Sequence, residues 1–174
     1  MTIEKLAYQV TQRPIAEVKQ FLADLNLDCI KFKLMDSDEG EGWTRENAER
    51  VEKLYKRFLF LSITTGHAII PTKEIDAFWH QHILDTHKYA EDCEQIFGFF
   101  LHHFPYIGMR GEEDARLLER LFQGTQALYE VTFGETYGAD FKDCENCGNC
   151  TSSCGVGTSR AGDQQLRPSL PALA

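Results

Sequence analysis

Residues 74–93, EIDAFWHQHILDTHKYAEDC, hold His80, His82 and His87, half of the chain's six histidines, beside Asp76, Trp79 and Asp85. Neutral imidazole nitrogen and ionised carboxylate oxygen both donate to zinc, iron and related ions, so this is the donor set of a transition-metal site. On one unbroken helix, at about 100° per residue, Asp76, His80 and His87 fall within about 40° of one another. His82 then turns to the apolar side with Ile75, Phe78, Trp79, Tyr89 and Cys93. A helix break at Asp85 instead releases His87 and leaves Asp76 and His80 paired at i and i+4. The two histidines of HQH stand at i and i+2 and cannot share a helix face, unlike those of H-E-x-x-H. A complete site therefore draws on ligands from elsewhere, and His67, His102 and His103 are the candidates, the last two if LHHFPY folds back over the helix. The competing reading is architectural, with Asp76 orienting His80, the rings packed on aromatics and Asp85 serving as a helix cap.

Cys144, Cys147, Cys150 and Cys154 spell C-x2-C-x2-C-x3-C. That spacing matches the bacterial ferredoxin run, in which three thiolates hold one [4Fe–4S] cluster and the fourth serves another. No second run exists and no proline follows Cys154, so a lone copy needs Cys154 or a remote thiol as fourth ligand. Short spacers bring thiolates together at little loop-closure cost, which makes four-cysteine zinc or copper handling equally accessible. A tail without a fixed metal, or one whose cysteines are chemically modified, completes the alternatives. Cys29 reads as a small core residue. Cys93 falls on the apolar side, where a thiol is usually inert, which argues against a Cys–His dyad. There is no G-x-S-x-G, P-loop or dinucleotide fingerprint, and whether the chain is an enzyme stays open.

The elements that must position these residues read as helices. Residues 2–27 form one or two, with Pro14 opening the second and Ile15, Val18, Phe21, Leu22 and Leu25 at helical spacing. MDSDEGEGW is an acidic loop. Thr44 is the cap of a helix to about Thr64 with Val51, Leu54, Phe58 and Leu61 inward, and Gly66 ends it. Thr72 caps the next, Asp85-Thr86 marks a second start, and Gly98 closes the run. FFLHHFPYIGMRG is an aromatic loop, its proline and glycines interrupting any helix. Glu112 to Phe133 is a final helix with Leu117, Leu118, Leu121, Leu128 and Val131 inward. No alternating run points to a sheet. After Gly134 the chain turns rich in Gly, Ser, Cys and Gln and cannot bury enough surface to order itself unaided.

The histidine segment resembles the glycine-rich domain-containing protein-like family, a domain of unknown function. The likeness rests on Asp76, Trp79-His80-Gln81-His82, Tyr89, Asp92-Cys93 and Phe97-Gly98, and HHFPYIGMRG is similar to the bacterial branch. It covers roughly residues 45–135. The resemblance implies a helical domain and makes Asp76, His80 and His82 a shared polar centre. It implies no activity. Plant members carry glycine-rich and RNA-binding segments outside this region, and neither is present in this chain.

The 174 residues carry a net charge of −9 and a 43% apolar share. That suits one globular core with a tail and disfavours nucleic acid and anionic lipid as partners. The N-terminus lacks a secretory signal and no run is long and apolar enough to span a membrane, so a cytoplasmic location is expected. In a reducing compartment six cysteines suit metal or redox chemistry more than disulfides. The sequence thus predicts an all-α protein: a compact multi-helix bundle over 1–138 and a disordered, cysteine-bearing tail over 139–174. Its predicted function is metal binding through Asp76, His80, His82 and His87 and through the four tail cysteines. The cofactor is a transition metal, zinc or iron, or an iron–sulfur cluster. The rival is a non-catalytic interaction module whose Trp-His-x-His segment is structural and whose tail docks a protein partner.

Overall fold

The computed structural model describes residues 9–138, together with the backbone of 155–156. Among the described residues six helices follow one another: α1 (Ile15–Asp24), α2 (Asp28–Met35), α3 (Arg45–Thr64), α4 (Lys73–Leu84), α5 (Thr86–Phe97) and α6 (Glu112–Phe133). The only extended pairing among the described residues joins the two-residue strands β1 (His103–Phe104) and β2 (Gly155–Val156). The protein is all-α.

Helix boundaries follow local chemistry. Thr44 Oγ1 accepts from the Asn47 N–H at the start of α3 (3.2 Å), and Thr72 and Asp85 accept from Ile75 and Lys88 at the starts of α4 and α5. Each cap satisfies an N–H that the first turn leaves without a carbonyl. Gly98 and Gly134, both at positive φ, close α5 and α6. Asp85 therefore separates two helices, and His87 leaves the face that carries Asp76 and His80.

α3 is the centre of the bundle. Its stripe of Val51, Tyr55, Phe58, Leu59 and Ser62 is buried against α1, α2 and α4. Phe78 and Trp79 of α4 meet this stripe, the Trp79 ring 5.1 Å from Phe58 and Phe78 5.0 Å from Tyr55. α5 packs on α4 and α1, and its Cys93 is buried, as expected.

Two expectations are corrected, and one helix carries too weak a sequence signal to have been assigned. Residues 28–35 are helical although their apolar pattern is weak; only Ile30 and Leu34, one turn apart, point inward. The same register turns Cys29 outward, so it is exposed and not a core residue. On α6 the inward residues are Leu117, Thr125 and Tyr129, whereas Val131 is 86% exposed. Tyr129 wins the inner face because its hydroxyl accepts from Arg57 (2.7 Å) while its ring packs on Tyr137. The expectation of a disordered tail, and the four cysteines in it, lie outside the described residues.

The loop between α5 and α6 is anchored to the first turn of α6. Asp114 accepts from the Gly108 N–H (2.6 Å) and from the Arg110 guanidinium, which also lies over the Phe104 ring. Gly108 has φ +87°, and a Cβ there would sit 2.6 Å from the end of Leu118. Gly108→Ala is expected to lower stability by about 1–2 kcal/mol, the cost of a left-handed non-glycine residue. A urea midpoint shift at unchanged slope measures it; an unchanged midpoint would mean the loop accommodates the side chain.

Candidate metal centre

α4 presents Asp76 in its first turn and His80 one turn later. The first turn's unpaired N–H groups favour an acidic side chain there. The third donor comes from the aromatic loop, where β1 brings His103 over the helix. His103 Nε2 lies 3.1 Å from Asp76 Oδ1 and 3.1 Å from His80 Nε2, and His80 Nε2 lies 3.5 Å from Asp76 Oδ2. One donor atom from each residue falls within 4.8 Å of the others.

Trp79, next to His80 in sequence but on the buried side, packs edge-on against the His103 ring with centroids 4.4 Å apart. Its Nε1–H donates to the Tyr89 hydroxyl, which in turn donates to the Leu101 carbonyl. The loop entering β1 is thus tied to α4 and α5, and Asp114 ties the loop leaving it. His103 and Asp76 side chains are 9% exposed and His80 50%. The cluster is closed beneath by Trp79 and open along His80. Asp76, Ala77 and His80 line a cleft of about 320 Å³ whose facing wall is Glu39-Gly40-Glu41.

Two histidine nitrogens and a carboxylate converging in this way have a simple requirement. A ring nitrogen carries either one proton or one lone pair, and a single N–H at His103 Nε2 cannot point at both Asp76 and His80. One cation satisfies all three donors at once. Ligand atoms about 2.1 Å from a common ion stand about 3.0–3.5 Å apart, for angles between octahedral and tetrahedral. His103 Nε2 stands at such a distance from both Asp76 Oδ1 and His80 Nε2, 3.1 Å each, and His80 Nε2 lies 3.5 Å from the other carboxylate oxygen, Oδ2.

His82 occupies a different place. It is 1% exposed, its Nδ1 is 2.9 Å from the Tyr55 hydroxyl and its Nε2 is 2.9 Å from Asp92 Oδ2. Asp92 also takes an ion pair from Lys88 (2.9 Å). Burial pushes the Asp92 carboxyl up, but the bonds from His82 and Lys88 outweigh it and hold it below the ordinary value of 3.8. Beside the Asp92 carboxylate, His82 Nε2 is placed to donate to Oδ2, and Nδ1 faces the Tyr55 hydroxyl. Burial pushes the Cys93 thiol up to about 11, which leaves it protonated and unreactive.

Of the sequence candidates, the structure brings together Asp76 and His80 and adds His103 from the loop. His82 lies among Tyr55, Tyr89 and Asp92, and His87 is exposed on α5. His67 and His102 are exposed, His102 against Phe100. Cys144, Cys147, Cys150 and Cys154 lie outside the described residues. The Asp114–Arg110 clamp was not foreseen, because Asp114 in GEEDAR reads as one more acid of a helix's first turn.

The sequence model of the UCP032817-like family matches residues 18–154, most of the chain. The chain belongs to the UCP032817-like family. It is also similar to two Arabidopsis thaliana proteins, glycine-rich domain-containing protein 2 (34% identical) and glycine-rich domain-containing protein 1 (32%), each over 88 residues. Those alignments take in 48% of this chain and 11% and 10% of the two relatives, so the chain spans about a tenth of their length. The UCP032817-like chain is thereby tied to a glycine-rich-domain-like family, in line with the likeness read from the Trp-His-x-His segment. No solved structure matches.

The Asp92 environment gives a pH prediction. Its folded pKa is lowered, so its contribution to stability is complete above the unfolded value and is lost as pH falls through the folded one. Stability should decline on acidification below about pH 4, and the decline should be shallower in Asp92→Asn. Denaturation midpoints across that range decide it, and parallel pH profiles for the two proteins would refute the assignment.

Proposed function

We propose that this chain is a metal-binding protein whose ion sits between Asp76, His80 and His103. The observation that carries the reading is three donors gathered within 4.8 Å of one another, with His103 and Asp76 nine-tenths buried and His80 half open. Two imidazoles and one carboxylate suit divalent iron, zinc or manganese-like ions. Three protein ligands leave coordination positions free, the arrangement by which a bound ion lowers the pKa of water or takes up a small ligand. The open side is the cleft between α4 and residues 39–41, so an exogenous ligand reaches the ion past His80. The four tail cysteines form a second metal-binding element in this proposal, as an iron–sulfur cluster or a zinc site. A cytoplasmic setting, where thiols stay reduced, fits both, and no helix of the described residues is long and apolar enough to cross a membrane.

For His82 the architectural reading has its own support: both ring nitrogens are already bonded within the core. The two histidines of Trp-His-x-His thus divide, one for the ion and one for the bundle.

The test uses the full chain with Cys144, Cys147, Cys150 and Cys154 changed to Ser, so that thiolates do not compete. Elemental analysis after purification without oxygen should find close to one iron, zinc or manganese per chain. Asp76→Asn, His80→Ala and His103→Ala should each remove most of it. Added metal should raise the melting temperature of the parent and not of these variants. His82→Gln should keep its metal while losing about 1–3 kcal/mol of stability from unpaired buried partners. Less than a tenth of an equivalent in the parent, or full metal in all three ligand variants, would overturn the proposal.

A further inference from the structure

His103 is the one donor not carried by a helix. Its backbone belongs to β1, and β1 pairs antiparallel with β2, His103 opposite Val156 and Phe104 opposite Gly155. The loop around β1 is tied down on either side, by Tyr89 at Leu101 and by Asp114 at Gly108 and Arg110. Between those two anchors the pairing with β2 is the backbone interaction that acts at the donor residue itself.

We infer that Gly155–Val156 is a positioning element of the Asp76–His80–His103 centre: by pairing with His103 and Phe104 it fixes the backbone from which the third ligand projects. The inference rests on the metal reading above. Its physical basis is that a donor on a loop must be ordered when an ion binds, and ordering its backbone costs conformational entropy. A strand already paired there removes that cost before the ion arrives. Groups that orient metal ligands without touching the metal typically change affinity about 10–100-fold, and a backbone partner acts by the same route. β2 follows Cys154 directly in sequence.

Successive pairs of an antiparallel ladder alternate between exchanging both N–H···O bonds and exchanging none. One of the two pairs, 103 with 156 or 104 with 155, therefore carries the bonds, and proline on the β2 side removes the donor. The experiment uses the full chain in the four-Cys→Ser background, with Gly155→Pro and Val156→Pro made separately. Two quantities are read: Co(II) affinity with its visible d–d spectrum, and hydrogen exchange of the His103–Phe104 amides without metal.

At least one proline variant should bind Co(II) about 10–100-fold more weakly with an altered spectrum, and should exchange faster at whichever of the His103 and Phe104 amides bonds to β2. Unchanged exchange in both variants would overturn the inference whether or not the protein binds metal. Faster exchange with unchanged Co(II) affinity and spectrum would overturn it too, since the pairing would then be real and without effect on the site. Failure of the parent to bind Co(II) would overturn the metal reading itself, and faster exchange alone would then leave β2 as a plain structural strand.

Discussion

Asp76, His80 and His103 bring two imidazole nitrogens and a carboxylate together, and a single N–H at His103 Nε2 cannot point at both of its neighbours. That constraint organises the region around α4. Asp76 and His80 come from one helix at i and i+4, a spacing that any regular helix supplies. His103 comes from a loop, and the surrounding structure is concerned with keeping it there. Trp79 packs under the ring, Tyr89 ties the incoming chain to α4 and α5, and Asp114 ties the outgoing chain to α6.

The same helix turns its other face to the bundle. Trp79 and His82 point into the core that α3 builds, and His82 completes a buried line from Tyr55 through Asp92 to Lys88. Burying so many polar groups is tolerated because each finds a partner. The Trp-His-x-His order thus has a geometric reason: residues 79 and 82 on the core side, residue 80 on the ligand side, with Asp76 beneath it. A shift of one position would bury His80 and expose His82.

Much of this was legible in the residues. Thr44, Thr72 and Asp85 announce three helix starts, and Gly66 and Gly98 two helix ends, because capping is local chemistry. The pairing of Asp76 with His80 follows from spacing, given the break at Asp85. What sequence left open was long-range. Whether LHHFPY folds back, and which of its histidines then faces α4, depends on Asp114 and Arg110 holding the loop, and neither differs on paper from an ordinary surface residue. Helix α2 escaped because its eight residues bury only two side chains. Val131 was misplaced because α6 puts Tyr129, with Arg57 bonded to its hydroxyl, where an aliphatic stripe was expected.

A cation between Asp76, His80 and His103 is the feature on which the proposed function depends. Anomalous diffraction from crystals grown with iron or zinc locates such an ion directly. A single strong peak about 2.1 Å from Nε2 of both histidines and from an Asp76 oxygen is the predicted result. Density that leaves the three side chains hydrogen-bonded to one another, with every anomalous peak elsewhere in the molecule, would contradict it.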